Sequence, residues 1–357
     1  MYKRITLKIG SNVLTLPDGN PNEALIAKLV EQMVYLRKEG IEILLISSGA
    51  VASGRKVIKT PRHCDAVSCR QLWAAVGQVR LIQLYGELFA RHDMVCSQVL
   101  ATKEDFRDRR HFLNMRNCLD ALLHNHVIPI INENDVVSVT ELMFTDNDEL
   151  SGLITDMMGS DALIILSNID GIYDGLPSDP ASKVIPVIEP DNATASKFIA
   201  PTQSNFGRGG MLTKFAIAKK VASSGTPVHI ANGFTEDILK KIVSREKDIV
   251  QTLFTPGHKT STIKKWLSHS GTDVKGSVYV NQGAASRLSD QQAVSLLLVG
   301  VTRIEGDFLK GDVIQIVDEQ NCVIGLGRSE YNAETAKKKI GERNARPMIH
   351  YDYLYLK

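Results

Sequence analysis

Two short segments place a lysine where an anion would be expected to meet it. The first, Lys8-Ile9-Gly10-Ser11-Asn12, follows an apolar run that is typical of a strand. A lysine at the end of a buried strand is costly unless an anion compensates its charge, and Gly10 would let N–H groups of the turn approach a phosphate. Alone, the pattern fits equally a lysine that buries its stem and extends its ammonium group into water.

The second segment is a glycine-rich loop that leads into a helix. Its residues are Gly207-Arg208-Gly209-Gly210-Met211-Leu212-Thr213-Lys214. The apolar residues of this helix recur at helical spacing and include Met211, Phe215, Ala218 and Ala222. Lys214 falls within their stripe rather than opposite it. A lysine that points inward from a first helical turn, behind a glycine loop, is well placed to bind phosphate.

Small and polar residues follow other predicted strands. Ser47-Ser48-Gly49-Ala50 joins a strand to a helix, where N–H groups would face an anion, although a plain helix cap by a serine explains the same pattern. Asn132-Glu133-Asn134-Asp135 ends another strand, and Asp146-Asn147-Asp148 follows soon after. These side chains could hold an ammonium group or orient lysines and metal-bound waters. Turn formation is the alternative explanation.

Acidic residues are concentrated in one part of the chain. No Lys or Arg occurs from Asn117 to Ser182, and the acids of this stretch include Glu133, Asp135, Glu141, Asp146, Asp148, Glu149 and Asp156. Such a cluster needs a cation, which could be a metal ion, a substrate ammonium group or lysines from elsewhere in the fold. Because the acids lie at predicted strand ends, where open α/β sheets bind ligands, we expect a binding site rather than a solvated acidic face.

Composition and absent motifs exclude several classes of protein. The 357 residues have a formal net charge of +2 and are 43% hydrophobic, which is typical of a globular protein and argues against strong non-specific nucleic-acid binding. No G-x-x-x-x-G-K-[ST] motif occurs, which excludes a P-loop NTPase, and neither G-x-G-x-x-G nor H-E-x-x-H is present. Without a signal-peptide pattern or a membrane-length apolar stretch, we expect a cytoplasmic protein with no membrane contact.

The five cysteines give no indication of a metal site or a disulfide framework. They form no C-x-x-C pair, are irregularly spaced and lie at Cys64, Cys69, Cys96, Cys118 and Cys322. We therefore expect reduced thiols and no protein-bound metal.

The elements that would position these side chains alternate along the first two-thirds of the chain. Short apolar strands, separated by amphipathic helices, are predicted at Arg4–Ile9, Ile41–Ile46, Val127–Ile131, Ala162–Leu166 and Pro227–Ile230. The first long helix is predicted to be capped by Asn20 and to end at Gly40. This alternation predicts an α/β fold with a mostly parallel sheet that is covered by helices on both faces.

The character of the chain changes near Phe254. Short strands punctuated by glycine are predicted at Ser277–Val280, Gly300–Ile304, Asp312–Val317 and Val323–Gly327. We therefore predict an α/β domain over residues 1–258, a linker over 259–274 and a small, mostly β domain over 275–357.

Taken together, the segments resemble the amino-acid kinase family, and within it the branch that phosphorylates glutamate. The matching segments occur in the family's order and are Leu7–Ser11, Ser47–Ala50, Ala74–Gln78, Ile128–Asp135, Asp146–Asp148 and Gly209–Lys214. The A-A-V-G-Q and P-I-I-N-E-N-D segments are specific to that branch. Residues 300–357 are similar to the PUA domain, so the resemblance covers nearly the whole chain and implies the amino-acid kinase fold plus a PUA-like domain.

The resemblance implies transfer of the γ-phosphate of ATP to the γ-carboxylate of L-glutamate, the first step of proline biosynthesis. Lys8 and Lys214 would contact the ATP phosphates, and Asp148 would orient both lysines. A carboxylate is already a nucleophile at neutral pH, so the reaction needs positioning and charge neutralisation rather than a general base. Mg2+ would be held largely by the nucleotide itself.

The resemblance also implies which residues bind each substrate. Glutamate would be bound by Ser48, Asp135 and Asn147, while Gly10 and Gly49 would offer N–H groups to the transferring phosphoryl group. The remaining ATP-binding residues would be Ser167, Asn168, Arg208, Gly209, Gly210, Met211, Leu212 and Thr213.

The chain departs from the family's pattern at three places. Thr145 stands where the family usually has Gly before the D-N-D segment, and the other two departures lie on the nucleotide side. The family usually has Thr-Asp where this chain has Ser167-Asn168, and Thr where it has Arg208. One negative charge is therefore lost and one positive charge is gained. We hypothesise that Arg208 adds a phosphate contact and that Asn168 keeps a hydrogen-bonding role.

Partners and alternatives follow from the same resemblance. It implies a homo-oligomer, either a dimer or a tetramer, and the lability of an acyl phosphate suggests a glutamyl phosphate reductase as partner. The nearest alternative is another family member, with acetylglutamate, aspartate, carbamate or UMP as acceptor. RNA binding is a different alternative, but residues 275–357 hold 11 basic and 10 acidic residues, a weak footprint for RNA.

Overall fold

The computed structural model describes residues 2–58, 64–138, 144, 146–189, 210–258, 274–289, 294–343 and 345–356. Arg208 and Gly209, which are predicted to bind ATP, lie outside these ranges, as does most of the predicted linker. The chain forms two compact units, Met1–Glu104 with Asn114–Lys259 and Asp105–Leu113 with Thr260–Lys357.

An eight-stranded sheet lies at the centre of the first unit. Its strands are β1 (Arg4–Ile9), β2 (Glu42–Ser47), β3 (Cys96–Ala101), β4 (Ile128–Glu133), β5 (Ala162–Ser167), β6 (Val187–Ile188), β7 (Val228–Asn232) and β8 (Gln251–Phe254). Their order is β3-β4-β2-β1-β5-β7-β8-β6. Neighbouring strands run parallel except β7 and β8, which are antiparallel. The mostly parallel sheet confirms the predicted fold class.

Helices connect these strands. They are α1 (Ser11–Leu14), α2 (Glu23–Lys38), α3 (Ala50–Val57), α4 (Ala66–Ala90), α5 (Glu104–Arg107), α6 (Arg109–His124), α7 (Asn147–Met158), α8 (Met211–Ser223) and α9 (Ile238–Ser244). The central strands are buried on both faces, as their continuous apolar sequences predict. Aliphatic side chains fill the core, for example Leu7, Leu45 and Leu166, each 0% exposed.

The predicted start of α2 was wrong by two residues. Asn22 is the cap, since its side-chain oxygen accepts a hydrogen bond from the Leu25 amide at 3.3 Å. Asn20 lies in the preceding turn, where its amide donates to Asp18. Pro21 forms an isolated bridge with Thr15, so the helix cannot begin before it. The predicted end is confirmed, because Gly40 follows the helix with a φ of 84°.

The second unit contains a five-stranded sheet in the order β10-β9-β11-β12-β13. Its strands are β9 (Gly276–Val280), β10 (Val301–Gly306), β11 (Val313–Val317), β12 (Val323–Ser329) and β13 (Ile349–Leu356). Neighbours are antiparallel apart from β9 and β11. The sheet is accompanied by α10 (Gln282–Ser289), α11 (Ala333–Lys338) and a 3₁₀ turn at Leu298–Gly300. The small β domain predicted from the sequence is therefore present, with β13 as an additional strand.

The expectation of reduced thiols needs one correction. Cys64 and Cys69 form a disulfide, with their Cα atoms 5.5 Å apart. Asp65 caps α4 between them, and the first helical turn brings the two positions within disulfide range. Cys96, Cys118 and Cys322 are free.

Within the described parts of the chain, none of the helices has the length and apolar character that crossing a bilayer requires.

Candidate active site

The candidate site lies where four strands of the larger sheet end. Strands β1, β2, β4 and β5 finish at Ile9, Ser47, Glu133 and Ser167, and their carboxyl ends share one edge of the sheet. A cavity of about 1000 Å³ opens there. Its lining brings together most of the predicted site residues, namely Lys8, Gly10, Ser48, Gly49, Asp135, Asn147, Asp148, Ser167, Asn168, Gly210, Met211 and Lys214.

Asp148 bridges two lysines that are far apart in the sequence. Lys8 Nζ lies 2.6 Å from Asp148 Oδ1, and Lys214 Nζ lies 2.9 Å from Asp148 Oδ2. The Asp148 side chain is 0% exposed, and the lysine side chains are 5% and 10% exposed. Because β1, α7 and α8 each contribute one member, the fold itself assembles the group.

The charges of this group depend on one another. Burial alone would raise the pKa of Asp148, but the two ammonium groups outweigh it and hold that pKa well below its usual range. Burial lowers the pKa of Lys8. Burial also acts against a charged Lys214, but Asp148 outweighs it and raises the pKa of that lysine. One buried carboxylate thus keeps cationic side chains at the base of the cavity.

Asn147 organises the polar wall between β2 and β4. Its Nδ2 donates to Asn132 Oδ1 at 2.9 Å, to Ser48 Oγ at 3.0 Å and to the Ser47 carbonyl at 3.2 Å. Gln78 on α4 accepts from Asn132 at 2.8 Å and extends this network. Asn147 Oδ1 is buried and has no hydrogen-bond partner among the described residues. That oxygen and the Ser48 hydroxyl hydrogen are therefore available to a polar ligand.

Arg70 was not identified from the sequence, although it lines the same cavity. It lies on α4, and its Nε and Nη2 donate to Asp135 Oδ1, the former at 3.1 Å. Its Nη2 is also 3.7 Å from Glu133 Oε2. Arg70 thus supplies a cation that the acidic stretch of the chain was expected to require. Lys103 supplies another, since its Nζ lies 3.2 Å from Glu149 Oε2.

The predicted role of Gly10 needs a correction. Its amide donates to the Leu166 carbonyl at 3.0 Å, which ties β1 to β5, so that N–H is not free for a phosphoryl group. A Cβ at this position would lie 3.2 Å from that carbonyl and 3.7 Å from Lys8 Nζ, so close approach of backbone explains the glycine. Gly49 caps α3 with a φ of 100°, and its amide has no acceptor within the described ranges.

The side of the cavity where ATP is predicted to bind lies only partly within the described ranges. Ser167 is buried, Asn168 is exposed, and both line the cavity beside Gly210 and Met211. Leu212 and Thr213 lie on α8 but are absent from the described lining of the cavity. Leu212 is 47% exposed, because the helix turns it away from the core.

Asp146 is a second site residue to which no separate role was assigned from the sequence. Its Oδ1 caps α7 by accepting from the amides of Asp148 and Glu149, at 2.9 Å and 3.1 Å. Its Oδ2 is buried and has no hydrogen-bond partner among the described residues. Burial, and then the neighbouring Asp148 carboxylate, raise the pKa of Asp146 to about 7.

This pKa predicts a pH-dependent stability. Between the ordinary value of 3.8 and about 7, folded Asp146 keeps a proton that the unfolded chain has lost, so stability should fall as pH rises through that window. Asp146→Asn keeps the helix cap but cannot titrate. In differential scanning calorimetry without ligands, the Tm of wild type minus that of the variant should decrease by roughly 5 °C from pH 4.5 to 7.5. A constant difference would contradict the assignment.

Among the described residues, no group of three or more His, Cys, Asp or Glu side chains is arranged to hold a metal ion.

Comparisons with known proteins agree with this architecture. Residues 3–232 match the model of the amino acid kinase family, and residues 276–351 match the PUA domain. A relative from Bacteroides thetaiotaomicron named glutamate 5-kinase is 50% identical over 99% of both chains. A glutamate 5-kinase from Chlorobaculum tepidum is 46% identical over 100% of this chain and 98% of its own.

A solved structure shares the fold of the first unit. Carbamate kinase from Giardia lamblia bound to AMP-PNP covers 71% of this chain and 98% of its own length, with a TM-score of 0.51 and 15% identity. The family model spans more than half of the chain, and the curated relatives span nearly all of it. The chain therefore belongs to the amino acid kinase family.

Proposed function

We propose that this protein transfers the γ-phosphate of ATP to the γ-carboxylate of L-glutamate and forms L-glutamyl 5-phosphate. The observation that carries the proposal is the buried Asp148 carboxylate, which holds Lys8 and Lys214 together at the base of a polar cavity. The near full-length relatives named glutamate 5-kinase support the choice of acceptor.

The two lysines would neutralise charge on the phosphates. A glutamate γ-carboxylate oxygen attacks the γ-phosphorus, the bond to the β,γ-bridging oxygen breaks, and ADP leaves. No proton needs to be removed from the attacking carboxylate, so positioning and electrostatics suffice. The Gly49 amide, at the N-terminus of α3, is the backbone donor best suited to the transferring group.

The acceptor would bind along the wall formed by Ser48, Asn147 and Asp135. The Ser48 hydroxyl accepts from Asn147 and keeps its own hydrogen for a substrate carboxylate. The free Asn147 Oδ1 and the Asp135 carboxylate would accept the substrate ammonium group. ATP would occupy the side of the cavity formed by Ser167, Asn168 and the start of α8, and the loop with Arg208 and Gly209 precedes that helix.

Mg2+ would accompany ATP and neutralise part of the charge on its phosphates. The buried Asp146 Oδ2, which has no hydrogen-bond partner among the described residues, fits a magnesium-bound water better than a structural role. The protein would therefore orient the metal through this oxygen rather than hold it with a set of carboxylates.

The remaining assignments rest on the same activity. We assign residues 1–258 to the kinase domain and 275–357 to the PUA domain, in line with the matched ranges. A cytoplasmic homo-oligomer, either a dimer or a tetramer, is proposed. Because an acyl phosphate is labile in water, a glutamyl phosphate reductase is the partner expected to consume the product.

The activity is tested by measuring ADP formation from ATP and Mg2+ with glutamate, acetylglutamate, aspartate, carbamate or UMP. Hydroxylamine traps an acyl phosphate as a hydroxamate, which should form with glutamate. Hydroxamate from a different carboxylate acceptor, or ADP formation only with another substrate, would reject the assignment. If no acceptor supports turnover, RNA binding by the PUA domain becomes the leading alternative, and a salt-dependent gel shift tests it.

A further inference from the structure

Arg70 is a cavity-lining cation to which the proposed reaction assigns no role. Arg55 and Lys56 line the cavity as well, and the charge of Lys56 acts on Asp18. Of the other cations on the lining, Lys8 and Lys214 are held by Asp148. Arg55 lies over the Trp73 ring, with its guanidinium carbon 4.4 Å from the ring centroid. Arg70 instead contacts two buried carboxylates, those of Asp135 and Glu133. Its side chain is 28% exposed, and it lines the cavity.

The guanidinium of Arg70 has N–H donors that its two carboxylate partners do not use. Its Nε and Nη2 face Asp135, with Glu133 close to Nη2. Within the described ranges, Nη1 has no acceptor. A planar guanidinium that is fixed along one edge by a carboxylate presents its other donors in a defined direction, which suits a second carboxylate.

Because acidic side chains line the cavity, each carboxylate of a bound substrate needs a cation beside it. Glutamate brings two carboxylates into a cavity that is lined by five acidic side chains, Asp18, Glu133, Asp135, Asp146 and Asp148. Its γ-carboxylate must reach the phosphoryl group near the two lysines. Its α-carboxylate then needs a separate cation, and Arg70 lies beside the carboxylate that is proposed to bind the ammonium group of the same α-carbon.

We infer that Arg70 is a specificity-determining residue that binds the α-carboxylate of the acceptor amino acid. Arg70 and Asp135 then form a matched pair, in which one binds the carboxylate and the other the ammonium group of the substrate. The inference rests on the proposed function. It extends that function by making a free α-carboxylate a requirement for the acceptor.

The test compares L-glutamate with its α-amide, which keeps the ammonium group and γ-carboxylate but lacks the α-charge. Wild type should prefer glutamate by roughly 10- to 100-fold in kcat/KM, as measured by ADP release. In Arg70→Gln the kcat/KM for glutamate should fall by about the same factor, and the preference should shrink to within about threefold. The KM for ATP should stay within about twofold of wild type, since ATP is proposed to bind on the side of the cavity formed by Ser167, Asn168 and the start of α8.

Two variants and one substrate keep the test decisive. Arg80→Gln, an exposed change on the same helix, should leave the preference unchanged. Arg70→Lys keeps the charge but loses the planar fork, and should retain part of the preference.

A wild type that uses the α-amide as well as glutamate overturns the inference without any variant, even if Arg70→Gln fails to fold. An unchanged preference in Arg70→Gln, with a higher KM for both substrates, would show that Arg70 only positions Asp135. A wild type that is inactive with glutamate would reject the proposed function itself.

Discussion

Replacing Asp148 by asparagine is expected to lower kcat by roughly 10³-fold, with a smaller effect on the KM for glutamate. The side chain is fully buried and pairs with both lysines, at 2.6 Å and 2.9 Å. An amide of the same size cannot neutralise two ammonium groups, so Lys8 and Lys214 would repel each other and leave the positions in which they meet the phosphates. Steady-state rates of ADP release, measured at saturating ATP and glutamate, provide the measurement.

The same substitution should destabilise the fold. Removing one partner of a buried ion pair leaves an uncompensated charge, which typically costs about 3–5 kcal/mol. Adding Lys214→Met to Asp148→Asn removes one of the two stranded ammonium groups. The double variant should therefore have a higher Tm than Asp148→Asn alone, but no recovered activity. An equal or lower Tm would contradict the electrostatic explanation.

Glu149→Gln is the matched control on the same helix. Glu149 pairs with Lys103 at 3.2 Å, but both side chains are more than a fifth exposed. Partly solvated pairs of this kind contribute about 0–1 kcal/mol. The control should therefore change kcat by less than about threefold. A large loss of kcat in Glu149→Gln would show that any change of charge at the start of α7 disturbs the site. The effect of Asp148→Asn could then not be attributed to its two ion pairs.

The two lysines of the candidate site could be predicted from the sequence because their signals are local. Lys214 falls within the apolar stripe of its own helix, and Lys8 ends an apolar strand that is now seen as β1. Periodicity and strand ends are properties of a few neighbouring residues, so one sequence contains them. The parallel sheet then brings the strand ends to one edge, which a βα alternation already implies.

Contacts between distant segments could not be identified in the same way. Arg70 meets Asp135 across 65 residues, and no helix was predicted at the position of α4. The Gly10 amide was assigned to a phosphate because no local pattern shows that Leu166 lies beside it. Strand β3 was also missed, since it lies at the edge of the sheet and its residues are mostly half-buried.

Helices α3 and α4 cross in close backbone contact at Gly54 and Gly77. A Cβ at Gly77 would lie 1.7 Å from the Ala50 carbonyl oxygen, and a Cβ at Gly54 would lie 1.8 Å from the Trp73 carbonyl oxygen. These neighbours are backbone atoms, which cannot rotate away as a side chain can. The two helices therefore pack directly through glycine, and any side chain there must separate them.

Gly77→Ala should consequently lower both stability and activity. Overpacking typically costs about 1–3 kcal/mol, and the backbone clash places this variant at or above the upper end, equivalent to a fall in Tm of about 6–12 °C. The KM for glutamate should rise by roughly 10-fold, because Gly49 caps α3 and α4 carries Gln78, which supports Asn132 and Asn147.

Gly86→Ala, on the same helix, is the control for Gly77→Ala and should change stability in the opposite direction. A Cβ at Gly86 meets nothing within 4 Å, so the change only improves helix propensity, by up to about 1 kcal/mol. Thermal unfolding should therefore shift in opposite directions for the two variants, and the control should keep its KM for glutamate. If both variants lose stability alike, α4 is sensitive to any change of glycine. The close crossing would then not be what positions the acceptor side of the site.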